Sequence, residues 1–183
     1  MPRTYPSPLK GYSEQLALPT TTHRDGKGWA MDKLDATKDT KRTGTAYKSF
    51  PEPITTYYTT GGFDAHILFS LSSLEERNYA KELHTRVRYE FPELRIYTLF
   101  EEPAGPFPMG SFEVSLRTPE ELGVFVAWLV VHRGPLSVLV HPNTDGEEEE
   151  GLNSAVEDHT TRAVWMGDKA ELNLDFFTKQ REK

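Results

Sequence analysis

At 183 residues the chain has room for one ordinary domain with a sizeable core. Its formal net charge of −7 and pI of about 5.4 speak against a nucleic-acid partner, because no basic stripe stands out. The absence of cysteine excludes a disulfide framework, a thiolate nucleophile and a zinc–thiolate site, and no apolar run is long enough to cross a bilayer. Met1 to Tyr5 begins no signal peptide, so the expectation is a soluble, cytoplasmic protein with no membrane partner.

Residues 1–60 are rich in Pro, Thr, Lys, Asp and Gly, with singly spaced aromatics and no sustained apolar period. Such a segment buries too little surface to fold alone and reads as an extended arm. The globular domain is expected over 61–177, with a charged tail at 178–183. From Gly62 the pattern alternates. Phe63, Ala65, Ile67, Phe69 and Leu71 face one way, and Asp64, His66, Leu68 and Ser70 the other, as in a half-buried strand. Ser73 followed three residues later by Glu76 has the spacing of a capping box. Ala80, Leu83 and Val87 then recur at helical spacing until Phe91-Pro92 stops the helix.

Leu94 to Phe100 reads as a second strand, Glu101 to Gly110 as a turn-rich loop, and Ser111 to Leu116 as a third strand with Ser111, Glu113 and Ser115 on its polar face. Thr118-Pro119-Glu120-Glu121 combines an N-cap, a proline at the first helical position and a capping-box glutamate. Leu122, Phe125, Val126, Leu129 and Val130 supply the apolar face of that helix, and Gly134 ends it. The last strand, Leu136 to Val140, reaches His141 and stops at Pro142, which cannot donate to a sheet ladder. Its alternation sets Ser137, Leu139 and His141 against Leu136, Val138 and Val140. Beyond Thr144, periodicity does not decide between helix and extended chain for Val156 to Gly167.

The order β-α-β-β-α-β predicts an α+β, ferredoxin-like fold: a four-stranded antiparallel sheet with both helices on one face. In that topology the first and last strands are neighbours. His66 and His141 would project together onto the uncovered face, alongside Glu113, Ser111, Arg95 and Tyr97. A face that broad invites cover from the arm or from a second copy, so a homodimer is an expectation. Taken singly, a histidine at a strand end is more often a turn residue than a ligand.

Tyr5-Pro6-Ser7-Pro8-Leu9, Gly62 to Ile67, Phe91 to Tyr97, Gly105-Pro106, Leu136 to Thr144 and Asp158-His159-Thr160, in this order, resemble the DOPA 4,5-dioxygenase family, especially its fungal members. The resemblance covers nearly the whole chain. It implies a ferredoxin-like fold and extradiol cleavage of a small aromatic catechol by a non-haem metal, Fe(II), and dioxygen. It also implies that His66 and His141 line a metal site and that His159 is a ligand or an acid/base group. Asp64, Glu113, Tyr97, Arg95 and Phe107 would then contact substrate. The chain departs from the pattern at Phe107, where the family carries histidine in Gly-Pro-His-Pro. It departs also at Leu68, at Asp145-Gly146 and in an acidic insertion before Asp158.

Phe107 has neither lone pair nor charge and cannot coordinate a metal. Three outcomes stay open: His159 completes the set, Glu113 or Asp64 supplies a carboxylate as in a facial triad, or no metal binds. In the last case the histidines would act as acid and base in a metal-independent isomerase or cyclase of an aromatic or polyketide-like intermediate. A non-catalytic small-ligand binder is the third reading.

Overall fold

The computed structural model describes residues 20–24, 26–32, 47–55, 61–144 and 148–179, with side chains undescribed at 148–153 and 179. The N-terminal part of the expected arm therefore lies outside the described residues. The chain divides into two compact units, 1–43 and 44–183. In the first, β1 (Thr22–Arg24) pairs antiparallel with β2 (Trp29–Met31). Asp32 closes this hairpin by accepting from the hydroxyl of Thr21 and pairing with Nδ1 of His23 at 2.7 Å.

The second unit contains β3 (Phe63–Phe69), α1 (Leu74–Glu90), β4 (Arg95–Ile96), β5 (Gly110–Leu116), α2 (Pro119–His132), β6 (Ser137–Pro142), α3 (Glu148–His159), β7 (Val164–Met166) and α4 (Asp175–Lys179). Its sheet runs β4-β5-β3-β6-β7, antiparallel at every pairing. The first four strands have the ferredoxin-like order, and the fold is α+β as the sequence predicts. The strand count differs. β7 adds a fifth strand beside β6, with Val140 opposite Val164 and Val138 opposite Met166. It pairs the row of backbone groups that β6 would otherwise present as an edge. The segment left undecided by periodicity is thus both things in turn, a helix and then a strand.

The strand expected over Leu94 to Phe100 is also interrupted. Ile96 faces Val114, while Phe100 faces Ser111 in an isolated bridge. Four steps on one strand against three on the other is the count of a β-bulge, which bends the chain away into the 101–109 loop.

Local signals explain the helices. Ser73 Oγ accepts from the backbone N–H of Glu76 (3.2 Å), and Thr118 Oγ1 from that of Glu121 (3.1 Å). The two glutamates accept from N–H groups ahead of the N-caps, Glu76 from Ser70, three residues before Ser73, and Glu121 from Arg117, one residue before Thr118. Ala80, Leu83 and Val87 of α1 and Phe125 and Leu129 of α2 pack on Ala65, Ile67, Phe69, Phe112, Val114, Leu116, Val138 and Val140. Val130, expected in that stripe, is instead exposed, because one residue past Leu129 turns it about 100° off the packed face.

The opposite face of the sheet is not open. Leu68, Leu139 and Phe107 are buried there under Met109, Ala163, Trp165, Ala170 and Leu172. Among the described residues the cover comes from the chain's own 101–109 loop and its segment after α3. Segment 47–55, counted with the arm on composition, belongs to this unit. Thr55 N–H donates to Asn143 O (2.9 Å), and Phe50 lies 5.1 Å from Phe63. Gly62 joins these pieces. Its φ of +83° and the Leu116 carbonyl packed where a Cβ would stand demand glycine, while its N–H donates to Thr55 O and its carbonyl accepts from Asn143 N–H.

Candidate metal centre and its cavity

Strand alternation puts His66 and His141 on the face opposite α1 and α2. His66 is opposite Leu139 in the register and His141 opposite Asp64, so the two imidazoles are diagonal neighbours on adjacent strands. Their Nε2 atoms are 3.0 Å apart. The third imidazole arrives from α3, whose last residue is His159. Its ring centroid lies 3.8 Å from that of His141 and 5.9 Å from that of His66.

A polar clamp holds that helix end in place. The carboxylate of Asp158, 4% exposed, accepts from the N–H (3.0 Å) and hydroxyl of Thr144 and from Arg162 (2.8 Å). Thr144 lies three residues beyond His141, so Asp158 ties the helix carrying one histidine to the strand carrying another.

Hydrogen bonds fix which nitrogens face inward. His141 Nδ1–H donates to the Pro142 carbonyl (2.8 Å), and His159 Nδ1–H to the Ala155 carbonyl (2.9 Å). Both therefore keep Nε2 as the lone-pair nitrogen. His66 then donates from Nε2 to His141, and its Nδ1 lies 3.7 Å from Glu113 Oε2. All three imidazoles are held neutral. Burial lowers the pKa of His66 well below the ordinary histidine range, reinforced by the repulsion it would meet from His141 and His159 were they protonated too. Burial also lowers His141, and it brings His159 down to about 4 with help from His141.

Three neutral imidazoles with ligand nitrogens within 4.8 Å of one another fit a divalent transition metal. The 3.0 Å Nε2–Nε2 spacing matches two neighbouring ligands at right angles on an ion with metal–nitrogen bonds of about 2.1 Å. Carbonyl partners on Nδ1 are the outer-shell contacts that orient metal-binding histidines.

The centre opens into a cavity of about 380 Å³ lined by Asp64, His66, Phe100, Ala104, Gly105, Pro106, Phe107, Ser111, Glu113, His141, Asn143, His159, Phe176 and Phe177. Phe107 is buried, with its ring 4.6 Å from that of His66. Phe177 closes on His159 at 4.8 Å. Asn143 Nδ2–H donates to Asp64 (2.9 Å). Burial raises the Asp64 pKa above its ordinary value. Burial and the neighbouring Asp64 charge push Glu113 up to about 7, against an opposing pull from Arg95.

Of the residues expected at the site, His66, His141, His159, Asp64, Glu113 and Phe107 come together. Arg95 and Tyr97 do not line the cavity. They share its sheet face but sit on the edge beyond β5, where Arg95 lies over the Tyr97 ring at 5.7 Å. Sequence reading missed Phe100, Asn143, Phe176 and Phe177. The aromatic pair Phe176-Phe177 was the available signal, but only the return of the chain after β7 brings it to the cavity. His84 and His132 stay outside. His84 Nε2 contacts the Tyr97 carbonyl (2.9 Å), and His132 packs beside Trp128 in the last turn of α2.

Residues 63–176 match the model of the Dopa 4,5-dioxygenase family. The chain belongs to that family. The matched stretch starts at the first residue of β3 and includes every lining residue except Phe177. A 21.2 kDa protein of Botryotinia fuckeliana described as uncharacterized is 44% identical over 180 residues, covering 98% of this chain and 94% of its own length. A DOPA 4,5-dioxygenase of Amanita muscaria is 33% identical over 114 residues, covering 60% of this chain and 46% of that enzyme. Among solved structures, a candidate dioxygenase of Nostoc punctiforme matches with a TM-score of 0.52 and 31% identity, over 65% of this chain and 92% of that one. The family likeness supports a dioxygenase-like function. None of the described helices is long and apolar enough to cross a membrane.

Proposed function

We propose that this family member is an extradiol-type ring-cleaving dioxygenase acting on a catechol or related small phenol. His66, His141 and His159 would hold a non-haem iron. The observation that carries the reading is the convergence of three neutral imidazoles, two of them oriented by backbone carbonyls, at the floor of an aromatic-walled cavity. Bound iron(II) would supply open positions for catechol oxygens and dioxygen.

The chain's own residues do the rest. Phe100, Phe107 and Phe176 offer apolar walls for a planar ring and keep water away from it. To offer Nε2 to an ion, His66 must carry its proton on Nδ1, the nitrogen facing Glu113. A catechol that binds through its oxygens sheds a hydroxyl proton, and Asp64 and Glu113 are the carboxylates lining the cavity that can receive it.

The test is metal analysis of untagged protein reconstituted with iron(II), followed by spectroscopy with simple catechols in air. Stoichiometric iron and a yellow muconic-semialdehyde-type product are expected. Failure to bind iron, together with no catechol cleavage, overturns the reading. One observation favours a second reading: the His66–His141 hydrogen bond is a ready proton-sharing pair for metal-independent isomerisation or cyclisation. Turnover that survives exhaustive chelation and falls on His66→Ala or His141→Ala supports it.

A further inference from the structure

α2 is apolar on both of its sides, whereas α1 in the same layer is not. Phe125 and Leu129 bury one side of α2 in the core. On the other side Gly123, Val124, Ala127, Val130 and Val131 are exposed, the three valines at 55%, 62% and 73%. At 3.6 residues per turn all of these lie within about 60° of Ala127 around the helix axis, so they form one stripe. No Asp, Glu, Lys or Arg interrupts the chain between Glu121 and Arg133. α1 instead fills its outer positions with Glu75, Lys81, Glu82, Arg86 and Arg88. Contact with water accounts for the outside of α1 and leaves that of α2 unexplained.

We propose that this stripe pairs two copies of the chain, α2 against α2 in antiparallel sense about a two-fold axis at Ala127. In that arrangement the stripe is complementary to itself. Residues equally far from Ala127 meet, which sets Val131 of one protomer against Gly123 of its partner and Val124 against Val130. A Cβ added at Gly123 would meet nothing within 4 Å, so the gap there is free to receive a valine. Ala127 at the crossing point lets the helix axes approach to the short end of the usual range of about 8–10 Å.

Charge points to the same occupant. The chain carries a net charge of −7, so two copies repel in general and meet closely only where that charge is absent. The stripe is such a place. At its ends the antiparallel sense brings Glu120 of each protomer toward the Arg133 end of the other, with the helix dipoles opposed. A parallel pairing would set acid against acid. A contact of about three helical turns is small, so the dimer is a reversible one.

The test is sedimentation equilibrium of the full-length chain at concentrations from about 1 to 500 µM. A reversible step from 20.8 kDa to twice that mass is expected, with a dissociation constant of about 1–100 µM. Val124→Glu and Val130→Lys, each alone, should raise that constant about tenfold or more, because each sets a lone charge against an apolar partner. Combined, the two new charges face each other across the axis, and the constant should return to within about threefold of the wild type. Positions 124 and 130 lie about 120° apart around one helix, so such a recovery does not arise within a protomer. Far-UV circular dichroism checks that each variant keeps its fold. Gly123→Leu, which fills the gap opposite Val131 and should weaken pairing to a similar degree, stands in for a single variant that does not fold. A chain that stays monomeric at the highest concentration overturns the proposal, whatever else then covers the stripe. So does a dimer indifferent to the single variants, or one that they weaken and the double variant does not restore.

Discussion

The ring of Phe107 lies 4.6 Å from that of His66 and 6.4 Å from that of His159, so a side chain unable to coordinate forms the wall directly beside three that can. Phe107 also belongs to the small apolar cluster with Leu68 and Leu139, which fixes the 101–109 loop over the sheet. One residue thus both lines the cavity beside His66 and anchors the loop that covers it.

Phe107→His should therefore raise affinity for a divalent metal by about tenfold or more, read by competition with a chromogenic chelator. The metal-free variant should be less stable by about 1–3 kcal/mol, because a buried phenyl gives way to a polar ring without a partner. Unchanged metal affinity in a folded variant would place position 107 outside coordination distance and sink the idea.

Removing the clamp at the end of α3 should act on His159 through the backbone. Asp158→Ala leaves the Thr144 N–H and Arg162 without their buried acceptor, at an expected loss of about 2–4 kcal/mol in denaturant unfolding. Metal affinity should fall by about 10–100-fold although no ligand is altered, as for other outer-shell partners. Asp158→Asn keeps an acceptor oxygen for Thr144 and should fall between the two. Metal binding unchanged in Asp158→Ala would mean that His159 is placed by other contacts.

The metal-free protein should be most stable near neutral to slightly acidic pH, with losses on both sides for different reasons. Glu113 is held at about 7 against an ordinary 4.5. The folded state therefore keeps a proton that the unfolded state releases, and stability falls as pH rises from 4.5 to 7, then levels off. His159 is held at about 4 against 6.5, so the unfolded state takes up a proton first and stability falls as pH drops from 6.5 to 4. Glu113→Gln should gain about 1–2 kcal/mol over the wild type above pH 7 and little below pH 4.5, where both side chains are neutral. Thermal unfolding of chelated protein across this range checks both arms, and a variant advantage that is the same at every pH would count against the ionisation argument.

By itself the sequence determined the frame. Period-two alternation in Phe63 to Phe69 and Ser137 to Pro142 dictates that His66 and His141 point away from Ala65, Val138 and Val140. The capping residues Ser73 and Thr118 started the two helices where local chemistry required. These signals act within a few residues, so a linear reading finds them.

Only the tertiary structure decided what covers the histidine face. The bulge between Ile96 and Phe100, the pairing of β7 with β6, and the Asp158–Thr144 clamp together bring Phe107, His159 and Phe176-Phe177 over His66 and His141. Each depends on contacts between residues far apart in the chain, for which neither periodicity nor local propensity carries a signal. The same return of the chain leaves Arg95 and Tyr97 outside: they share the sheet face, but the covering segments close over the central strands and not over the edge.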